Sequence, residues 1–364
     1  MYYKNLDPLR GFLALMVVVF HLNYFSINIG LPNLPIWPFL NKGTEAVLVF
    51  FVLSGYLIIG QLWDEKNATG TIAIRDFYLR RILRLYPVYY TVLLFGIGMY
   101  YFLVPALGWG NVPSHSVGEA LLYNILFLPN VFKHIAEPGS ILEILWSIGI
   151  EEQFYLAIAP LFAFIPTKRI FALLTSFTLL YFVIYHLPQF QLLANFTMIF
   201  FFMSAGGVMA LLQRRHIVLY GNKRWSKLII YLMFLGVFFT DIFYSSNDAI
   251  KHVSYLVIFT LMIPTLAHDQ NFRGVNKWST KLGKISYGIY MLHMIVINLV
   301  LYLGGKLQEM GVAEGIVFGF NWIATIGLTI FTAYLSYTYF EMPFLKLKNR
   351  FRGTSPVSKL HKAP

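Results

Sequence analysis

Ten apolar stretches of membrane-spanning length follow one another along this chain, near 11–29, 44–63, 86–107, 145–166, 170–187, 195–212, 228–244, 251–267, 285–303 and 315–340. As a helix, ~20 apolar residues match the ~30 Å hydrocarbon thickness of a bilayer and satisfy their own backbone groups. The predicted fold is therefore all-α and polytopic, with about ten transmembrane helices. With 58% of residues hydrophobic and only 12% charged, there is too little charge to clothe a soluble globule. The stretch 118–133 is short and broken by Asn124 and Pro129, so it is expected to lie along the interface. No cleavable secretory signal is expected, because the first apolar run leads straight into further spans.

Lysine and arginine set the orientation. With the N-terminus inside, 24 of the 28 fall on inner segments, leaving Lys42, Lys133, Lys251 and Lys306 outside. That bias places both termini in the cytoplasm and accounts for most of the +12 net charge. Spread over six short segments, the basic residues do not form a nucleic-acid patch, whereas anionic lipid or an anionic cytoplasmic ligand suits them. The chain has no cysteine, which excludes disulfides, metal thiolates and a thiol nucleophile, and no metal-ligand spacing is present. It reads as one membrane domain, 1–345, followed by a short basic tail, 346–364, whose Pro, Ser and Lys content suggests disorder.

Polar residues inside the spans are the candidates for chemistry, because an ionisable group at that depth is costly and marks a pathway or a reaction centre. Arg10 and His21 lie eleven residues apart in one apolar run, on one stripe of a helix and roughly 16 Å apart along its axis. In LWSIGIEEQFYL (145–156), Ser147, Glu151 and Tyr155 share a face at i, i+4 and i+8, and Glu152 turns about 100° away. In SYGIYMLH (286–293), His293 reaches mid-membrane and ranks below His21, since a lone histidine on a helix also serves structure. Ser54 reads as a small residue that lets helices approach. On the inner side Arg80, Arg81 and Arg84 form a guanidinium cluster. It suits the phosphates of a nucleotide-containing donor, although topology and lipid headgroups alone also place such residues there.

Together these segments resemble acyltransferase family three, integral-membrane enzymes that modify O-antigen, peptidoglycan and other surface or secreted glycans. The resemblance rests on LDPLRGFLALMVVVFHL (6–22) with its Arg, ten residues, His signature, and on FFVLSGYLI (50–58), RRILRLYP (80–87), LWSIGIEEQFYL, SYGIYMLH and FEMP (340–343), in the family's order. Leu48 and Gly149 depart from the family's commoner residues, and the esterase-like domain fused to some relatives is not expected here.

The resemblance implies transfer of an acyl group, acetyl first, from cytoplasmic acyl-CoA to a hydroxyl of an O-antigen, exopolysaccharide or similar carbohydrate at a bacterial plasma membrane. It implies no permanently bound cofactor. His21 would serve as general base or acyl carrier, with Glu151 and Arg10 beside it. Arg80, Arg81 and Arg84 would bind the donor, and Glu152, Tyr155, Ser147 and His293 would support. Two readings compete: a transporter or flippase of a glycan or lipid intermediate, and a non-catalytic scaffold.

Overall fold

The computed structural model describes residues 2–34, 37–108, 113–217, 223–348 and 351. Among them no strand occurs, and ten long helices coincide with the ten apolar stretches: α1 Leu6–Asn28, α2 Gly43–Thr69, α3 Ile74–Ile97, α4 Leu145–Phe164, α5 Thr167–Tyr185, α6 Phe200–Arg214, α7 Arg224–Phe239, α8 Asp248–Ala267, α9 Lys277–Glu309 and α10 Glu314–Leu335. Seven helices in the described residues are long and apolar enough to cross a membrane. An eighth is added if Pro188–Asn195 and Phe200–Arg214, bent by 84°, count as one span. The shortfall from ten has physical causes: α4 carries Glu151, Glu152 and Gln153 in its 20 residues, and α7 has only 16. The stretch 118–133 forms two short helices, Val117–Ile125 and Pro129–Ala136. Of the tail, 346–348 close the helix Met342–Lys348 and Phe351 is described; the remainder lies outside the described residues.

The chain is made of two compact units, Met1–Phe50 with Val218–Thr338, and Phe51–Ile217 with Tyr339–Pro364. In the first, α1 and α9 run parallel, with Gly11 against Leu282 and Ala14 and Val18 clustered with Ile285 and Ile289. Their backbones meet at Gly283, where a Cβ would fall 2.3 Å from the Asp7 carbonyl oxygen. Lipid supplies no hydrophobic drive between helices, so such close backbone approach is what binds them. α10 runs antiparallel to α9, since Asn321 lies over Gly304 while Ala333 joins the Ile285–Ile289 cluster.

The end of α8 ties this unit to the start of the chain. Asn5 donates its amide to the carbonyl oxygens of Leu266 and Asp269 at 2.9 and 2.8 Å, pinning the chain where it leaves α8. Burial pushes the Asp269 carboxyl up, but bonds from Lys227, Tyr231 and the Asn271 amide outweigh it and hold the group below the usual aspartate range. A carboxyl depressed in the folded state contributes stability that is present above its unfolded pKa and lost as pH falls through the folded value. Asp269→Asn is therefore expected to be less stable at pH 7 by about 1–2 kcal/mol, with the gap to wild type closing below pH ~4. Thermal melts across pH check this, and a pH-independent gap would contradict it.

In the second unit α3 packs against the closing helix Met342–Lys348, and α5 against α6. Arg214 grips Asp64 through Nε and Nη2 at 2.6 and 2.7 Å, a bidentate pair. Lys66, counted above among inner cations, is buried and donates to the Phe162 and Ile165 carbonyls at the end of α4. It thereby meets the negative end of that helix.

Candidate functional site

His21 stands on α1, and the ring that holds it comes from α9. His293 Nδ1 lies against the Tyr290 carbonyl oxygen. A carbonyl only accepts, so the His293 proton sits on Nδ1 and Nε2 keeps its lone pair. His21 Nδ1 lies 3.0 Å from that Nε2 and 3.0 Å from the Val17 carbonyl oxygen. Two acceptors facing one nitrogen put the His21 proton on Nδ1 and leave its lone pair on Nε2, an assignment made from the hydrogen-bond network. His293 is fully buried and His21 partly exposed, flanked by Phe20 and Phe25. One sealed, hydrogen-bonded ring thus orients a second, more accessible one. That is the arrangement of a positioned base.

Three turns below His21 on the same helix, Arg10 pairs with Asp7 at 3.2 Å, and the other Asp7 oxygen accepts from the Tyr2 hydroxyl. Asp7 is buried, so the guanidinium is anchored at the start of α1.

The remaining site candidates gather in the second unit. Ser54 and Tyr155 hydrogen-bond to one another and to the largely buried Glu151. Glu152, turned to the next face, accepts from Tyr86 at 3.3 Å, and its Oε1 is buried with no partner among the described residues. Ser147 directs its hydroxyl back to the Ile144 carbonyl at 3.5 Å. The three arginines meet different surroundings: Arg80 and Arg84 lie one turn apart on one face of α3, and Arg81 points about 100° round from Arg80. Arg80 donates to the Phe351 carbonyl at 2.8 Å and pairs with Glu65 at 3.4 Å. Arg81 is buried against the Phe77 and Tyr155 rings, 5.8 and 5.9 Å from their centroids. Arg84 is exposed, and its charge, with that of Arg81, acts on Glu151.

Sequence reasoning missed two members of this set. Ser54, read as a spacer between helices, belongs to the Glu151 group, and no periodicity of α2 distinguishes a hydroxyl that bonds from one that only saves space. Tyr86 sat within the RRILRLYP motif without a role and proves to be the partner of Glu152. The departure at Gly149 also has a cause: a Cβ there would fall 2.5 Å from Pro129 Cγ and Cδ. Gln153 fixes the same turn, donating to the Phe127 carbonyl at 2.6 Å and to Asn130 Oδ1 at 2.8 Å. Phe127 there adopts φ 57°, a left-handed conformation that is strained for an aromatic residue.

The sequence profile of acyltransferase family three, described as an acyltransferase domain, matches residues 3–341. Among curated proteins, one named "Putative O-acetyltransferase" from Staphylococcus aureus (strain COL) is 25% identical over 95% of this chain and 58% of its own length. "Putative peptidoglycan O-acetyltransferase YrhL" from Bacillus subtilis (strain 168) is 26% identical over 99% of this chain and 59% of its own. A "Putative acetyltransferase" of Acidianus two-tailed virus is 29% identical over 83% of this chain and 86% of its own. The chain thus spans under three-fifths of the length of the two bacterial relatives. No solved structure matches it.

Proposed function

Since the chain belongs to acyltransferase family three, we propose that it is a multi-pass O-acyltransferase of a bacterial plasma membrane. Its termini face the cytoplasm, and it moves an acyl group, acetyl first, from cytoplasmic acyl-CoA to a hydroxyl of a cell-surface or exported glycan. The relatives named as O-acetyltransferases, one of them for peptidoglycan, support the class of reaction and of acceptor. The observation that carries the reading is the His21 imidazole, held by His293 with its lone pair on Nε2.

In this reading the acceptor O–H gives its proton to His21 Nε2, and the oxygen attacks the thioester carbonyl. The C–S bond breaks, and the thiolate leaving as coenzyme A takes the proton from the imidazolium. The alternative order, in which Nε2 first accepts the acyl group and then passes it on, uses the same lone pair. Arg84, exposed, with Arg80 and Arg81 beside it, would hold the donor's phosphates. Arg10 would lie on the donor's path to His21. Glu151 and Glu152, with Ser147 and Tyr155, would steady developing charge and the acceptor.

The test uses the whole chain in proteoliposomes, with radiolabelled acetyl-CoA inside and peptidoglycan fragments or polysaccharide outside. Expected is one free coenzyme A thiol per base-labile O-acetyl ester formed. Glycan accumulation across the membrane with no acetyl-CoA consumed would instead establish the transporter reading. Mass spectrometry of surface glycans from cells with and without the gene then names acyl group and acceptor together.

A further inference from the structure

Five of the ten buried side-chain polar atoms without a hydrogen-bond partner among the described residues lie on α10: Asn321 Oδ1 and Nδ2, Thr325 Oγ1 and Thr329 Oγ1, and, turned about 100° from Asn321, Trp322 Nε1. Asn321, Thr325 and Thr329 are fully buried. Asn321, Thr325 and Thr329 recur every four residues, so they form one stripe, and Ala333 continues it into the cluster with Ala14, Val18, Ile285 and Ile289. One turn from that cluster on each helix, in the direction of Asn321, stand Thr329 on α10, His293 on α9 and His21 on α1. A second turn on brings Thr325, and Asn321 closes the row against Gly304. Three orphaned polar side chains therefore line up along α10 in a row that ends level with the imidazole pair.

Such a row conflicts with an apolar seam. Each buried polar atom left unpaired costs about 1–3 kcal/mol, and native proteins satisfy such atoms with ordered water where no protein group reaches them. Thr332 on the same helix shows the alternative, bonding back to the Leu328 carbonyl at 2.8 Å, which Thr325 and Thr329 do not do. An acyl chain does not suit a lining of hydroxyls and an amide. A sugar ring does not fit residues this completely enclosed, with Asn321 already pressed on Gly304. Water has the right size and can both donate and accept.

We infer that the seam of α1, α9 and α10 is a buried water-binding site, a row of ordered water molecules held by Thr329, Thr325 and Asn321 that solvates the positive charge formed on the His21–His293 pair during turnover. The inference rests on the proposed role of His21. Water in this place gives the cation a stabilising shell without opening the site to bulk solvent.

Radiolytic hydroxyl labelling of the whole chain in nanodiscs tests it, because ordered internal water marks side chains that bulk solvent does not reach. Met294, Ile297 and Val300 are at most 1% exposed, and the expected result is rapid labelling among them. In Thr325→Val/Thr329→Val, which replaces hydroxyls by methyls of equal size, most of that labelling disappears. Its melting temperature holds or rises, and kcat falls about tenfold at unchanged donor KM. Thr325→Ser/Thr329→Ser restores labelling and rate. Absence of labelling in the wild type, or a valine variant with unchanged labelling or kcat, overturns the inference. Labelling without acyl transfer by the wild type would overturn the enzymatic reading and the solvating role while the water stands; acyl transfer without labelling would do the reverse.

Discussion

Replacing His21 with alanine lowers kcat by about 10²–10⁴-fold, the range a positioned general base supplies, while the protein still inserts and folds. The loss is large because no second group holds an oriented lone pair in the same place. His293 has its Nδ1 proton committed to the Tyr290 carbonyl and its Nε2 turned toward His21. Removing the ring also leaves that Nε2 without its donor, so a modest fall in melting temperature accompanies the loss. His21→Gln separates the two effects, since its amide still donates to His293 but offers no basic nitrogen: stability returns and turnover does not. Rates of coenzyme A release by purified variants, beside their melting curves, decide the matter. Near-wild-type transfer by His21→Ala would remove the imidazole from the mechanism.

Gly283→Leu is expected to do comparable damage from three turns away. Even the first carbon of a side chain there would lie 2.3 Å from the Asp7 carbonyl oxygen, a backbone atom that no rotamer can clear. α1 and α9 must then separate by an ångström or more, and they carry His21 and His293 with them. A displacement of about 1 Å at a reacting group costs on the order of 10²-fold in rate. In a membrane, lost backbone packing is not recovered by hydrophobic burial. Low yield of folded protein, or folded protein with turnover reduced to that degree, is the expected outcome. Normal melting and normal kcat would show that the close approach is not needed.

Much of the fold is legible in the sequence, because apolar runs of spanning length have few other solutions. All ten stretches became helices, and the break at 118–133 became two short ones. The partners of the polar residues are another matter. Helical periodicity tells which residues share a face of their own helix, and so it groups Glu151 with Tyr155. It does not say that His21 meets a ring 272 residues later, that Arg81 turns inward while Arg84 stays exposed, or that Ser54 joins the Glu151 group. Asp7 stands at i−3 from Arg10 in the sequence, but the pairing emerges only from the structure. The polar residues of α10 drew no attention because threonine is common in apolar helices, and only complete burial without partners sets them apart.

The interleaving of the two units bears on how the reactive ring is made during synthesis. His21 leaves the ribosome early, but the helix that orients it follows only after the whole of the stretch Phe51–Ile217 has emerged. α1 must therefore wait in the bilayer as an unfinished surface, with its one glycine, Gly11, and its imidazole unmatched, until the late segment slots in beside it. A nascent chain arrested before α9 would hold the Arg-and-His signature in full and yet be chemically inert.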